Sequence, residues 1–107
     1  MWTPISLNEL EEWILRGELE LEEELLNFWN LIKIEPKKWQ EKDYGAEGGG
    51  FWVVAIFGNE VIYYDDIEDG FNVAEYKVYG HIIARWANQD ELNHTVMELY
   101  ARIKRKK

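Results

Sequence analysis

Seven consecutive apolar residues, 51–57, constrain the fold of this 107-residue chain more than any other segment. Both alternating sets of side chains in this run are apolar, which is typical of a central strand covered on both faces. Gly58-Asn59 follows and fits a two-residue hairpin turn, so residues 60–64 are expected to form the return strand. The run is far shorter than the ~20 residues that a membrane-spanning helix needs. The sequence therefore predicts a hairpin at the centre of an antiparallel sheet and no membrane span.

Helical periodicity marks two segments before this hairpin. Residues 6–9 have the spacing of a capping box, and the apolar stripe behind them predicts a first helix over 7–16. Gly17 is placed where a glycine commonly ends a helix. A second stripe predicts an amphipathic helix over 18–32, with glutamates on the rest of its surface. The chain therefore begins with two helices.

The remaining elements complete an α+β pattern. Pro36 cannot continue a helix, so residues 34–39 are interpreted as an extended edge segment. Alternating apolar residues predict a strand over 76–86, and capping-box spacing at 88–91 introduces a final helix with an apolar stripe from 92 to 103. The sequence thus predicts two N-terminal helices, an antiparallel sheet of 3–5 strands and a C-terminal helix, in two layers. Residues 1–107 are expected to form a single domain.

The expected core draws on every predicted element. One cluster is predicted to combine eight residues: Leu25, Phe28, Val53, Ala55, Ile56, Leu92, Val96 and Leu99. Four of the six tryptophans lie on or beside apolar patterns and are also expected in the core: Trp13, Trp29, Trp52 and Trp86. The other two, Trp2 and Trp39, lie outside such patterns and are candidates for exposed interface anchors.

The charge of the chain limits its partners. Twenty-one acidic and twelve basic residues give a net charge of -9, and five of the basic residues lie in 102–107, a tail that is expected to be solvated and mobile at its end. Nucleic-acid affinity depends on Lys and Arg, so the acidic body disfavours a nucleic-acid partner. It should attract a basic protein instead, although an acidic surface also serves plain solubility.

The segment 63–71 carries the strongest candidate for a binding surface. It combines four carboxylates with three aromatic rings and contains no cation. We predict that its four carboxylates are largely exposed and bind a basic partner, with Tyr63, Tyr64 or Phe71 as the apolar anchor. Strand alternation sends Tyr63 and Tyr64 to opposite faces, so at least one of these two rings is expected in the core. The alternative is a solvated turn, since turns favour Asp and Gly. The predicted partner-binding residues are Tyr63, Tyr64, Asp65, Asp66, Glu68, Asp69 and Phe71.

Catalytic and metal chemistry have little support in the sequence. Cys is absent, Ser6 is expected to cap a helix, and His81 and His94 are interpreted as a packed core histidine and a solvated histidine. A calcium loop aligned on the acidic segment fails because Ile67 and Tyr76 occupy ligand positions. No metal, no cofactor and no catalytic residue are predicted. The absence of Cys and of an apolar leader favours a cytoplasmic protein.

The sequence therefore favours a small acidic protein-binding module. In this profile it is similar to bacterial immunity proteins, which block a toxin's basic active site with carboxylates and aromatic rings, although no family motif matches and no residue is carried over. The resemblance implies an immunity or inhibitor protein that neutralises a basic toxin or enzyme. The alternative is a small enzyme that uses a carboxylate pair on a sugar or another small molecule. Formation of a homo-oligomer is left open.

Overall fold

The described part of the chain forms a five-stranded sheet and three helices. The computed structural model describes residues 3–41, 49–83 and 90–105. The elements are α1 (Leu7–Leu19), α2 (Glu23–Ile32), β1 (Lys33–Glu41), β2 (Phe51–Phe57), β3 (Glu60–Asp65), β4 (Gly70–Glu75), β5 (His81–Ile82) and α3 (Leu92–Arg105). The strand order is β4-β3-β2-β1-β5, and every pair is antiparallel except β1 with β5. The predicted α+β class and helix order are confirmed, with a mixed sheet in place of a purely antiparallel one.

The predicted central hairpin is confirmed, and it contains a bulge that the sequence did not indicate. Strand β2 pairs with β3 across the turn at Gly58, whose φ of 60° suits glycine. The register shifts between Val53 and Ala55, so Val54 is an extra residue on β2. Val54 and Ala55 consequently belong to the same cluster on the helical side of the sheet, while Ile56 packs on the other side.

The sheet buries a separate apolar cluster on each face. The cluster under the helices comprises Leu10, Leu21, Phe28, Trp29, Ile32, Val54, Ala55, Ile62, Tyr64, Phe71, Val73, Leu92, Val96 and Leu99. The cluster on the opposite face comprises Trp39, Phe51, Val53, Val61, Tyr63, Ala74 and Ile82. The prediction of one core was therefore wrong for Val53 and Ile56. Trp39 is buried against Tyr76, with ring centroids 5.1 Å apart, so it is no exposed anchor.

Helix α1 begins as predicted and ends later. The Ser6 side chain accepts the backbone N–H of Glu9 at 3.2 Å, which confirms the N-terminal cap. Gly17 was wrongly predicted as the stop, because it lies inside α1 and is buried. The N–H groups of Glu20 and Leu21 bond the carbonyls of residues 17 and 18 at 3.1 Å and close the helix. Helix α2 therefore starts at residue 23 rather than 18.

The predicted strand over 76–86 was wrong in its first half. Tyr76 makes an isolated bridge with Ile82, and residues 77–80 turn, with Gly80 at a φ of 94°. Strand β5 has only two residues and pairs with the end of β1. His81 is exposed and is not the packed core histidine that was expected. Trp86 and the start of the predicted cap at 88–91 lie outside the described residues.

Ion pairs connect helix α3 to the sheet and to α2. The Arg102 guanidinium lies 2.8 Å from the buried carboxylate of Glu60, and Lys104 lies 3.5 Å from Glu24. Lys104 and Arg105 belong to α3, and Lys106 and Lys107 lie outside the described residues, so the mobility of the basic tail stays a prediction. In the described part of the chain, no helix is long and apolar enough to cross a membrane.

Candidate functional site

The acidic turn after β3 is held by its own carboxylates. Asp65 is 0% exposed and its Oδ1 accepts the N–H groups of Ile67 and Glu68 at 3.1 and 3.2 Å. This is the local bonding that makes Asp a turn residue. The prediction that all four acids are largely exposed was wrong for Asp65 and Asp66, because both carboxylates turn inward to bond backbone N–H groups.

Asp66 connects this turn to the segment that precedes α1. Its Oδ2 accepts the N–H of Ile5 at 2.9 Å, and Trp52 donates its indole N–H to the Ile5 carbonyl at 3.2 Å. Asp66 is 7% exposed, and its Oδ1 has no hydrogen-bond partner among the described residues. Burial raises the pKa of Asp66, against the opposing effects of the Ile5 N–H and the Lys38 ammonium. A buried carboxylate with spare acceptor capacity thus lies beside residues 3–5.

The three aromatic rings of the acidic segment cannot act as an exposed anchor. Tyr63, Tyr64 and Phe71 are 0%, 4% and 2% exposed. Tyr63 belongs to the cluster away from the helices, whereas Tyr64 and Phe71 pack edge to face on the helical side with centroids 5.0 Å apart. The rings are buried because strand alternation sends them into both cores. Of the seven predicted residues, the half-buried Glu68 and the exposed Asp69 remain accessible.

An aromatic side chain that was expected in the core takes their place at the surface. Trp13 is 43% exposed on α1. Leu10 and Gly17 form the buried line of this helix, and Trp13 lies on its flank. Glu9, Trp13 and Arg16 follow the i, i+4, i+7 spacing of a single helical stripe. This stripe of an acidic residue, a tryptophan and a basic residue is the sequence pattern that indicates the site. It is not an apolar stripe, so a prediction based on apolar periodicity does not identify it.

Two cavities adjoin at Trp13, Tyr64 and Asp69, and together we name them the Trp13 groove. The larger has a volume of about 470 Å³ and is closed on one side by residues 3–5. The smaller has a volume of about 170 Å³ and runs between α1, β4 and the start of α3. The larger volume lies within the range of about 300–1,000 Å³ that is typical of ligand sites. The groove therefore has room for a side chain or a small molecule.

Negative charge dominates the Trp13 groove. The acidic residues that line it are Glu9, Asp66, Asp69, Asp90 and Glu91, and among the described lining residues Arg16 alone is basic. Burial, together with the carboxylates of Asp69 and Asp66, raises the pKa of Tyr64 to about 12, so its phenol is neutral at physiological pH. The groove is thus electrostatically suited to a cation.

A cavity on the other flank of α1 has different electrostatics. It lies between α1 and β1, has a volume of about 580 Å³ and is lined mainly by apolar residues. Three acids line it, Glu11, Glu18 and Glu35, and of these Glu18 accepts the indole N–H of Trp29 at 2.6 Å and lies 3.7 Å from the Lys33 ammonium. The charge of Glu18 is therefore already compensated within the protein.

The described lining residues of the groove include no histidine. His94 is exposed on α3, as expected. In the described ranges no group of three or more His, Cys, Asp or Glu side chains is arranged to hold a metal ion. The chain matches no family model, no curated protein and no solved structure. Its function must be inferred from its own geometry.

Proposed function

We propose that this protein is a small acidic binding module that engages a basic protein through the Trp13 groove. The observation that carries the proposal is the concentration of five carboxylates around an exposed indole, with a single basic residue among the described lining residues. Charge complementarity would accelerate encounter with a basic surface, and Trp13 would supply the apolar contact. The proposed surface retains Asp66 and Asp69 of the residues predicted from the sequence. Trp13 is the apolar anchor in place of the buried rings of Tyr63, Tyr64 and Phe71.

An inhibitor or immunity protein is the kind of binding module that this arrangement suits best. Such a protein needs no catalytic groups, because it acts by covering a basic active site with carboxylates and aromatic side chains. We propose the cytoplasm as its compartment, since the chain has no Cys to form disulfides. Its partner would be a toxin or enzyme whose own site is basic.

The same cavity is also the observation in favour of an enzyme that uses a carboxylate pair. Its volume of about 470 Å³ can accept a small substrate, and the pKa of Asp66 is raised by burial, as a general acid requires. However, Asp66 Oδ2 already bonds the Ile5 N–H, which makes Asp66 part of the cavity wall. Release of the chromophore from a panel of nitrophenyl glycosides would support the enzyme, and protein inert toward the panel would favour the binding module.

The binding function is tested with two triple variants of equal charge. The groove variant is Glu9→Gln, Asp69→Asn and Glu91→Gln. Gln retains the capping-box role of residue 9, and Asn tolerates the positive φ of 58° at residue 69. The control is Glu20→Gln, Glu22→Gln and Glu23→Gln, which removes three exposed charges around the start of α2. Both variants should melt near the parent temperature, because exposed charges contribute little to stability.

The three proteins are immobilised and used to capture proteins from an extract of the source cells. Parent and control should retain the same basic protein, eluting it at increased salt because screening weakens exposed charge pairs. The groove variant should bind that protein at least about tenfold more weakly, which corresponds to about 1.4 kcal/mol. Equal binding by the groove variant would exclude the groove. Loss in the control alone would move the interface to the glutamates of α2.

A further inference from the structure

The exposed indole of Trp13 already binds a guanidinium. The Cζ atom of Arg16 lies 4.9 Å from the ring centroid of Trp13, within the distance of about 6 Å at which a cation is attracted to an aromatic face. Both residues line the smaller cavity of the groove. Trp13 is still 43% exposed in this arrangement. A contact between a guanidinium and the face of Trp13 therefore already occurs within the protein.

Unused acceptors lie beside this ring. Asp66 lines the larger cavity, is only 7% exposed, and has one carboxylate oxygen without a hydrogen-bond partner among the described residues. Asp69 lines both cavities and is exposed. The exposed carboxylate of Asp69 can accept N–H donors from a ligand, whereas the buried carboxylate of Asp66 adds negative charge that Lys38 partly offsets.

A guanidinium fits this combination better than an ammonium does. It is planar, so it can stack on an indole while its five N–H donors remain free in the ring plane for carboxylates. A lysine ammonium can also lie over a ring, as Lys104 does over Tyr100, but it is a compact, strongly hydrated charge that lacks the planar fork of donors. The groove offers a flat ring and carboxylates side by side, which is the pair of contacts that favours arginine.

We infer that the Trp13 groove takes an arginine side chain of its basic partner, and that Arg16 competes with that side chain for the face of Trp13. The inference rests on the proposed function and specifies its ligand. The incoming guanidinium stacks on Trp13 and donates to the exposed carboxylate of Asp69, and the buried negative charge of Asp66 attracts it. Arg16 is displaced toward Asp90 and Glu91, which line the smaller cavity with it. Arg16 therefore lowers the affinity of the groove for other cations.

The first test compares two probes of equal length and charge, a peptide of nine arginines and a peptide of nine lysines, by calorimetry at low salt. The parent should bind the arginine peptide about fivefold more tightly, the upper effect of one exposed cation–π contact. Trp13→Leu keeps an apolar side chain on α1 without the ring, and it should reduce the ratio of arginine-peptide to lysine-peptide affinity. Equal affinities in the parent would overturn the arginine inference and leave the proposed function standing. If neither peptide binds, both fail.

The second test isolates the competition by Arg16. Arg16→Gln should bind the arginine peptide about threefold more tightly than the parent, because the ring face is free. Removing any positive charge raises the affinity for both peptides, so Lys37→Gln, an exposed charge on β1, is the matched control. The decisive quantity is the ratio of arginine to lysine affinity. This ratio should rise in Arg16→Gln and stay constant in Lys37→Gln; an unchanged ratio in both would refute the competition.

Discussion

Gly17 and Leu92 mark the point where helices α1 and α3 come into contact. A Cβ atom built on Gly17 would lie 2.5 Å from the Cβ of Leu92, closer than real Cβ contacts allow. Both residues line the smaller cavity of the Trp13 groove. The missing side chain at residue 17 is therefore what lets α1 approach α3 and bring Trp13 near Asp90 and Glu91.

Gly17→Ala should destabilise the protein although alanine favours helices. At an open helical site, replacement of Gly by Ala stabilises a protein by about 1 kcal/mol. Here the new methyl group would clash with the Cβ of Leu92, and this overpacking should destabilise the protein by about 1–3 kcal/mol. Urea unfolding measures the difference. Glu12→Ala, at an exposed site of the same helix, is the control and should not lower the midpoint. A Gly17→Ala midpoint at or above the parent's would contradict the contact.

Arg102→Ala should destabilise the domain by about 2 kcal/mol. The change leaves the Glu60 carboxylate, whose side chain is 5% exposed, without its nearest cation at 2.8 Å. Glu60→Gln in the same chain removes the buried charge, so the double variant should recover part of the loss. Denaturation of the single and double variants checks the coupling. Additive losses would show that Arg102 does not compensate Glu60.

The difference in stability between Asp66→Asn and the parent should depend on pH, because only the parent has an ionisable side chain at this buried position. Burial raises the pKa of Asp66 in the folded state above its ordinary value of 3.8. The favourable contribution of Asp66 to the free energy of unfolding is therefore complete below pH 3.8 and is lost as the pH rises through the folded-state pKa. The asparagine carbonyl can still accept the Ile5 N–H. The variant should therefore gain stability relative to the parent at pH 7 and lose that advantage at pH 3. A difference that does not change with pH would exclude this explanation.

Val96→Asp should unfold the domain at neutral pH. Val96 is 0% exposed and lies in the cluster beneath the helices. An unpaired carboxylate there costs several kcal/mol, which is comparable with the total stability of a small domain. Circular dichroism during chemical denaturation would show the loss. Met97→Asp, at the neighbouring 50% exposed position, is the control and should remain folded.

Deletion of residues 104–107 should leave the denaturation midpoint almost unchanged. Lys104 is exposed, lies 3.5 Å from Glu24, and stacks on Tyr100 with a distance of 4.7 Å to the ring centroid. Surface pairs of this kind contribute little to stability. A large fall in the midpoint would show that the basic end of α3 is part of the structural framework.

The sequence predicted those elements whose signals are local. Apolar residues on both faces of 51–57, followed by Gly58-Asn59, identified the central hairpin, and Ser6 identified the start of α1. Gly17 could not be interpreted correctly because its role depends on Leu92, which is far away in the chain. The alternation through Val78 and Gly80 resembled a strand, but nothing local indicated that the chain turns there.

The candidate site was predicted only in part, because burial is decided by tertiary packing. Asp66 and Asp69 line the Trp13 groove, and their role in binding stays a prediction, whereas the burial of Tyr64 depends on the helices that cover β3 and β4. A carboxylate in a turn can face solvent or its own backbone, and the sequence does not distinguish the two. Trp13 was assigned to the core because it adjoins the apolar stripe of α1, although its spacing to Glu9 and Arg16 was visible.

Alternation along β2 and β3, interrupted by the bulge at Val54, gives these strands side chains in both apolar clusters. The two clusters therefore share strands β2 and β3, and neither cluster can unfold without exposing strands on which the other cluster packs. Heat or denaturant should thus melt the two faces together, in one all-or-none transition seen identically by tryptophan fluorescence and by circular dichroism. The short turn at Gly58 also brings these strands together at small cost in chain entropy, so we expect this hairpin to form early in folding.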